Sequence, residues 1–182
     1  MQPIKTLTKW LQQHSSSENY LFTIHDLQSL YPNISNAAFK TLLSRAVKQG
    51  ILERVCRGLY AFDSGNNSNG LLLFHAAAYL KSGEFNYISL ETALSEAGII
   101  SQMPLAYVTI MSSGRSNKIR CGHFGTIEFI HTSRKPTEIM DKLSYDTSHR
   151  LWRANAKLAL ADMKNTHRDC SLINWDTLNE SI

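Results

Sequence analysis

The sequence predicts an α+β protein in two parts, and three observations carry that expectation. Residues 35–62 read as a basic helix, a glycine stop and a tight β-hairpin in immediate succession. Asp63-Ser64-Gly65-Asn66-Asn67-Ser68-Asn69-Gly70 holds no apolar side chain to bury and reads as a linker. Beyond it, helical and strand patterns mix. The expected domains are therefore 1–62 and 71–182, and with 182 residues and 43% hydrophobic content the chain can build both cores.

In the first domain Ile4, Leu7 and Leu11, with Trp10 beside them, describe an amphipathic helix ending near His14. Ser15 to Asn19 form a polar loop. Thr23-Ile24-His25-Asp26 resembles a capping box with Asp in place of the usual Glu, and opens a short helix carrying Leu27 and Leu30 before Tyr31-Pro32-Asn33 breaks it. Ser35 is an N-cap candidate and Gly50 a C′ candidate for the third helix. Phe39, Leu42, Leu43, Ala46 and Val47 form its apolar face, leaving Asn36, Lys40, Thr41, Ser44, Arg45 and Lys48 on the wet face. Strands over 51–55 and 59–62 then join through Cys56-Arg57-Gly58, which puts Arg57 at the hairpin tip. Three helices and a hairpin in this order predict a winged helix-turn-helix, which lays one helix in a DNA groove with the hairpin beside it. The competing reading is a generic small α+β core with Arg57 as a solvated turn residue.

Charge favours nucleic acid. Residues 1–62 carry seven Lys and Arg against three Asp and Glu, while the rest of the chain has twelve of each, so the whole formal charge of +4 belongs to the first domain. There it can displace counterions from phosphates. The candidate DNA-contacting residues are Asn36, Lys40, Thr41, Ser44, Arg45, Lys48, Arg54 and Arg57, with Lys40 and Arg45 reaching base edges and Arg57 on phosphate or in the minor groove.

The second domain begins with a helix over 71–82, whose Leu72, His75, Ala76 and Tyr79 share a face, and a short strand over 86–88. Ser89 caps a helix running to Gly98. Strands over 107–111, 117–120 and 126–131 predict a small antiparallel sheet, which makes this a mixed α/β domain. A helix follows over 155–164, and the last fifteen or so residues carry no clear pattern.

Chemical motifs are mostly missing there. Gly65 to Gly70 lacks the lysine and Ser/Thr of a phosphate-binding loop, and no closely spaced carboxylate pair follows Ser112-Ser113-Gly114 to hold magnesium. His123 and His131 flank one strand, and two such histidines are more often structural or solvated than metal ligands. Glu128 is the only acid between Glu96 and Glu138, and one carboxylate makes no acid/base pair. The expectation is no enzyme, no cofactor and no metal site. Arg115, Lys118, Arg120, Arg134 and Lys135 face only Glu128 across 112–136; they form a second phosphate-contacting surface, a dock for an acidic partner, or a solvated face. No run approaches a membrane span, and Cys56, Cys121 and Cys170 lie far apart with no C-x-x-C pair, so the expected compartment is a reducing cytoplasm.

Arg57-Gly58-Leu59-Tyr60, then Tyr87-Ile88-Ser89-Leu90-Glu91-Thr92-Ala93-Leu94, then the strands around Val108 and Ile127, resemble in their order the AbiEi-type antitoxins of type IV toxin–antitoxin systems. Arg57, Gly58 and Tyr60 match that family's Arg-Gly-x-Tyr wing; Ser89, Thr92, Ala93 and Leu94 match its Ser-x-x-Thr-Ala-Leu helix. Its Ala-x-Pro-Glu-Lys-Ala-Leu-x-Asp segment survives as Ala154, Ala159, Leu160 and Asp162, without the Pro-Glu-Lys centre. The resemblance implies an autorepressor that binds double-stranded promoter inverted repeats, an antitoxin domain, and a neighbouring nucleotidyltransferase-like toxin, in systems associated with phage defence. It specifies neither toxin contact nor oligomeric state. Two alternatives stay open: a stand-alone regulator with a ligand-sensing or oligomerisation domain, and a nucleic-acid-modifying enzyme using the basic strip and Glu128.

Overall fold

The structure is a computed structural model that describes residues 2–63, 70–101 and 106–181. Most of the expected linker, 64–69, lies outside the described residues. The chain divides into two compact units, Met1–Leu72 and Leu73–Ile182.

The first unit runs α1 (Pro3–His14), β1 (Leu21–Thr23), α2 (Ile24–Gln28), α3 (Asn36–Lys48), β2 (Glu53–Cys56) and β3 (Leu59–Ala61). Proline opens α1, where its missing amide hydrogen sacrifices no helical bond. At α2 the capping box forms with Asp as the reciprocal acceptor: the Asp26 amide donates to Thr23 Oγ1 at 3.2 Å and the Thr23 amide to Asp26 Oδ2 at 2.7 Å. This helix stops at Gln28, so Leu30 lies beyond it. The sequence reading omitted β1, three residues that pair antiparallel with β3 from Leu21↔Ala61 to Thr23↔Leu59. The sheet order is β1-β3-β2. Leu7, Leu11, Phe22, Leu27, Phe39, Leu42, Leu43, Ala46, Leu52 and Tyr60 form one core from all three helices and the sheet.

The second unit contains α4 (Leu72–Leu80), β4 (Asn86–Ile88), α5 (Leu90–Glu96), β5 (Tyr107–Ser112), β6 (Asn117–Arg120), β7 (Thr126–His131), α6 (Pro136–Ile139), β8 (Leu143–Asp146), β9 (Leu151–Ala154), α7 (Ala156–Asn165) and α8 (Trp175–Ser181). The sheet, expected to be small and antiparallel, has six strands in the order β6-β7-β5-β4-β9-β8. It is also mixed: β5 runs parallel to β7 and β4 parallel to β9. Strand β6 occupies the far edge, and β7 returns between it and β5, so the consecutive strands are not a meander. Helix α4 is not one-faced as its spacing suggested, because residues 72–77 are all buried. Asn155 caps α7 as an N-cap residue should, accepting the Leu158 amide at 2.9 Å. The last residues dock through an Ile100↔Ile173 bridge and an Asn174 amide bond to the Ile99 carbonyl.

Candidate functional site

Helix α3 is closed at both ends by its own sequence. Ser35 Oγ accepts the Ala38 amide at 3.3 Å. At the far end Gly50 takes φ 70°, and the amides of Gly50 and Ile51 return to the carbonyls of Val47 and Ala46 at 3.0 and 2.9 Å, a Schellman stop. Phe39, Leu42, Leu43 and Ala46 anchor one side in the core, which fixes what the opposite side presents.

Asn36, Lys40, Thr41, Ser44, Arg45 and Lys48 are all exposed. They are not equivalent. The line farthest from the core is Ala37, Thr41, Ser44 and Lys48, with Asn36 and Lys40 on one flank and Arg45 on the other. Arg45 lines a groove of about 720 Å³ with Thr41 and Ala38 of α3, Gln49 just past its end, and Gln2, Pro3 and Ile4 at the start of α1. Two hydroxyl and amide groups are already committed: Thr41 Oγ1 donates to the Ala37 carbonyl at 3.0 Å, and Asn36 Oδ1 accepts Gln28 Nε2 at 3.1 Å. Asn36 is thus held as a donor from α2. The sequence reading missed both Ala37 and Gln28, although the spacing 37, 41, 44, 48 is itself a helical stripe.

The wing is the β2–β3 hairpin. Cys56 pairs with Leu59 across a two-residue turn of exposed Arg57 and Gly58 at φ 80°. The register slips between Arg54 and Cys56, a bulge that twists the ribbon, and Arg54 remains exposed on β2 opposite Tyr60. The Gly58 carbonyl accepts the Ile24 amide at 2.9 Å, which ties the wing turn to the start of α2.

In the second unit, the residues of the two C-terminal motifs meet in one buried polar cluster. Asp162 of α7, 1% exposed, accepts the hydroxyls of Tyr87 and Ser89 on Oδ2 at 3.0 and 2.8 Å and Arg134 Nε on Oδ1 at 3.2 Å. Burial, reinforced by the Asp162 charge, pushes the Tyr87 phenol well above its ordinary pKa, so it stays a donor. Ser89 occupies the N-cap position of α5 but does not cap with its side chain. Thr109 Oγ1 takes the Thr92 amide at 3.1 Å instead, while Thr92 Oγ1 accepts the Thr109 amide at 2.8 Å. That exchange releases Ser89 for Asp162.

Glu128 is equally committed. Arg168 bridges it to Glu91, with contacts of 2.9 Å to Glu128 and 2.5 Å to Glu91; Tyr107 donates to Glu128 at 2.7 Å, and Lys118 stands 3.4 Å away. Burial opposes its charge, yet the bonds from Arg168 and Tyr107 prevail and hold the carboxyl below its usual pKa. A carboxylate held this way is a structural anion and is not poised as a general acid.

The basic strip does not act as five equal charges. Arg115, Arg120 and Lys135 are exposed; Lys118, opposite Glu128 on β7, is 64% exposed but paired with it. Arg134 spends its guanidinium on Asp162. His123 lies in the single helical turn 122–124 that precedes β7 and His131 ends that strand, so the length of β7 lies between them. His131 Nδ1 instead meets the Gly114 carbonyl at 2.9 Å. Among the described residues no group of His, Cys, Asp and Glu could hold a metal, no helix is long and apolar enough to cross a membrane, and Cys56, Cys121 and Cys170 form no disulfide.

The first unit is therefore a winged helix-turn-helix: three helices, a three-stranded sheet and a hairpin wing beside an exposed basic helix. Residues 11–62 match the family model described as a transcriptional regulator, AbiEi antitoxin, which agrees with the resemblance where it was read from the Arg57–Tyr60 wing. That is a regulator and antitoxin family, not an enzyme family. No curated protein matches the chain.

Proposed function

We propose that the protein is a DNA-binding autorepressor and the antitoxin of a nucleotidyltransferase-like toxin. The reading rests on one observation: the segment matched to AbiEi regulators is a winged helix whose α3 turns six polar or basic side chains outward beside Arg54 and Arg57. Helix α3 enters the major groove of promoter inverted repeats, Lys40 and Arg45 reach base edges, and Arg57 meets phosphate or the minor groove. The second unit provides neutralisation, with Arg115, Lys118, Arg120 and Lys135 as its charged surface and Arg134 as an internal support. The setting is a reducing cytoplasm, in phage defence.

The test is promoter binding by the full chain across a salt series. With about four phosphates neutralised, log K falls against log salt with a slope of roughly −3 to −4. In a binding-site selection, Arg45→Ala relaxes preference at one position and costs about 1–3 kcal/mol, whereas Arg57→Ala weakens all sequences alike. Salt-independent binding, or unchanged preference in Arg45→Ala, refutes the assignment. Co-expression with the adjacent gene product tests antitoxicity, and charge reversal at Arg115, Arg120 and Lys135 abolishes rescue if the strip is the working surface.

A further inference from the structure

Strand β6 ends the six-stranded sheet beside β7, and among the described residues no strand covers its other side. The register fixes which backbone groups face outward there. The Cys121 amide donates to the Gly125 carbonyl at 2.7 Å, and the ladder continues through Ile119↔Ile127 and Asn117↔Phe129. The Thr126 amide points the other way, to the Ala106 carbonyl before β5 at 2.9 Å. Antiparallel alternation therefore turns the amides and carbonyls of Lys118 and Arg120 away from β7. Asn117, Lys118 and Arg120 are exposed, and residues 113–120 hold Arg115, Lys118 and Arg120 without an acid. At the opposite edge of the sheet, by contrast, the Leu143 amide of β8 already returns to the Met140 carbonyl.

We propose that β6 receives an extended segment of a partner protein, added as an antiparallel strand with acidic side chains at alternate positions. The acids lie opposite Lys118 and Arg120, on the face where Glu128, across the ladder from Lys118, is already held by Arg168. Other occupants fit less well. A second copy pairing through its own β6 sets Lys118 and Arg120 against the same cations, and like charges directly opposite are destabilising. A phosphate backbone brings acceptors only, which suit the outward amides but meet the outward carbonyls with repulsion. Lysine on a sheet edge is a common guard against unwanted pairing, and here the guard admits a strand that carries acids. The inference rests on the reading of Arg115, Lys118 and Arg120 as a working surface of the second unit, and adds how the partner is held.

The experiment is equilibrium binding of the full chain, by fluorescence anisotropy, to a capped seven-residue peptide with glutamate at its third and fifth positions and threonine elsewhere. Saturable binding is expected. Methylating the backbone nitrogens of both glutamates, which face β6, weakens it about fivefold to a hundredfold through two lost ladder bonds. Methylating the second and fourth nitrogens, which face away, leaves it within about twofold. Combining Lys118→Gln with Arg120→Gln, both at exposed positions, weakens the parent peptide about twofold to thirtyfold through two lost charge pairs. No saturable binding, equal weakening by the two methylation patterns, or an unaffected double variant overturns the proposal. So does a short single-stranded oligonucleotide that binds through Lys118 and Arg120 where the peptide does not, which assigns the strip to nucleic acid. Co-expression of the chain reversed in charge at Arg115, Arg120 and Lys135 tests the underlying reading separately. Rescue lost while the peptide fails to bind overturns this inference alone, and rescue kept overturns both.

Discussion

Removing the Asp162 carboxylate should unfold the second unit more than any surface change. The side chain is 1% exposed and accepts from Tyr87, Ser89 and Arg134, so Asp162→Ala strands two buried hydroxyls and a cation at once. Breaking one side of a buried pair costs about 3–5 kcal/mol. The Arg134 side chain is 30% exposed and can recover some hydration, which places the expectation at the lower end, about 3 kcal/mol. Asp162→Asn keeps an acceptor and should cost roughly half as much. In an Arg134→Met background, Asp162→Leu should cost clearly less than in the parent, because no cation is left unpaired. Urea unfolding in a Trp10→Phe background isolates the signal, since the remaining tryptophans, Trp152 and Trp175, both lie in the second unit. A cost for Asp162→Ala below about 1 kcal/mol, or strict additivity with Arg134→Met, would refute the reasoning.

Two further outcomes are expected. Gly58→Ala should destabilise the wing by about 1–2 kcal/mol through its left-handed backbone, since an added Cβ would meet only Ile24 Cγ2 at 3.9 Å, and promoter affinity should drop with it; unchanged thermal unfolding would contradict this. Burial raises the Asp146 pKa, but bonds from Ser148 and His149 outweigh it and bring the carboxyl down to about 2. Its stabilisation is therefore present above its ordinary value of 3.8 and is lost as pH falls toward 2, so Asp146→Asn should flatten the acid limb of a stability–pH profile; an unaltered limb would exclude the contribution.

What the sequence made legible was local. Helix α3, its cap, its glycine stop and the wing turn follow from residues within a few positions of one another, and so do β4, β6 and β7. Strands β1, β8 and β9 were not, because three or four residues such as Leu143-Ser144-Tyr145-Asp146 show no periodicity until a neighbouring strand pairs with them. The site divides the same way. Asp162 looks like a solvated helix residue, since its partners Tyr87 and Ser89 lie 75 and 73 positions away. Arg134 reads as one member of a basic run for the same reason, and only the fold shows that its charge is spent inward.

The connectivity of the sheet also bears on synthesis. Strand β4 receives its parallel neighbour only when Trp152 and Arg153 arrive, about 65 residues later, and the Arg168 clamp on Glu91 and Glu128 closes later still. The first unit has all its strands by Ala61. Its strand pairing is complete once Leu59–Ala61 meet Leu21–Thr23, so it can fold first, while β4 of the second unit waits without its parallel neighbour until Trp152 and Arg153 have been made. Nascent or clipped chains would thus carry a finished winged helix beside an unfinished sheet, and quality control would act on the two halves at different times.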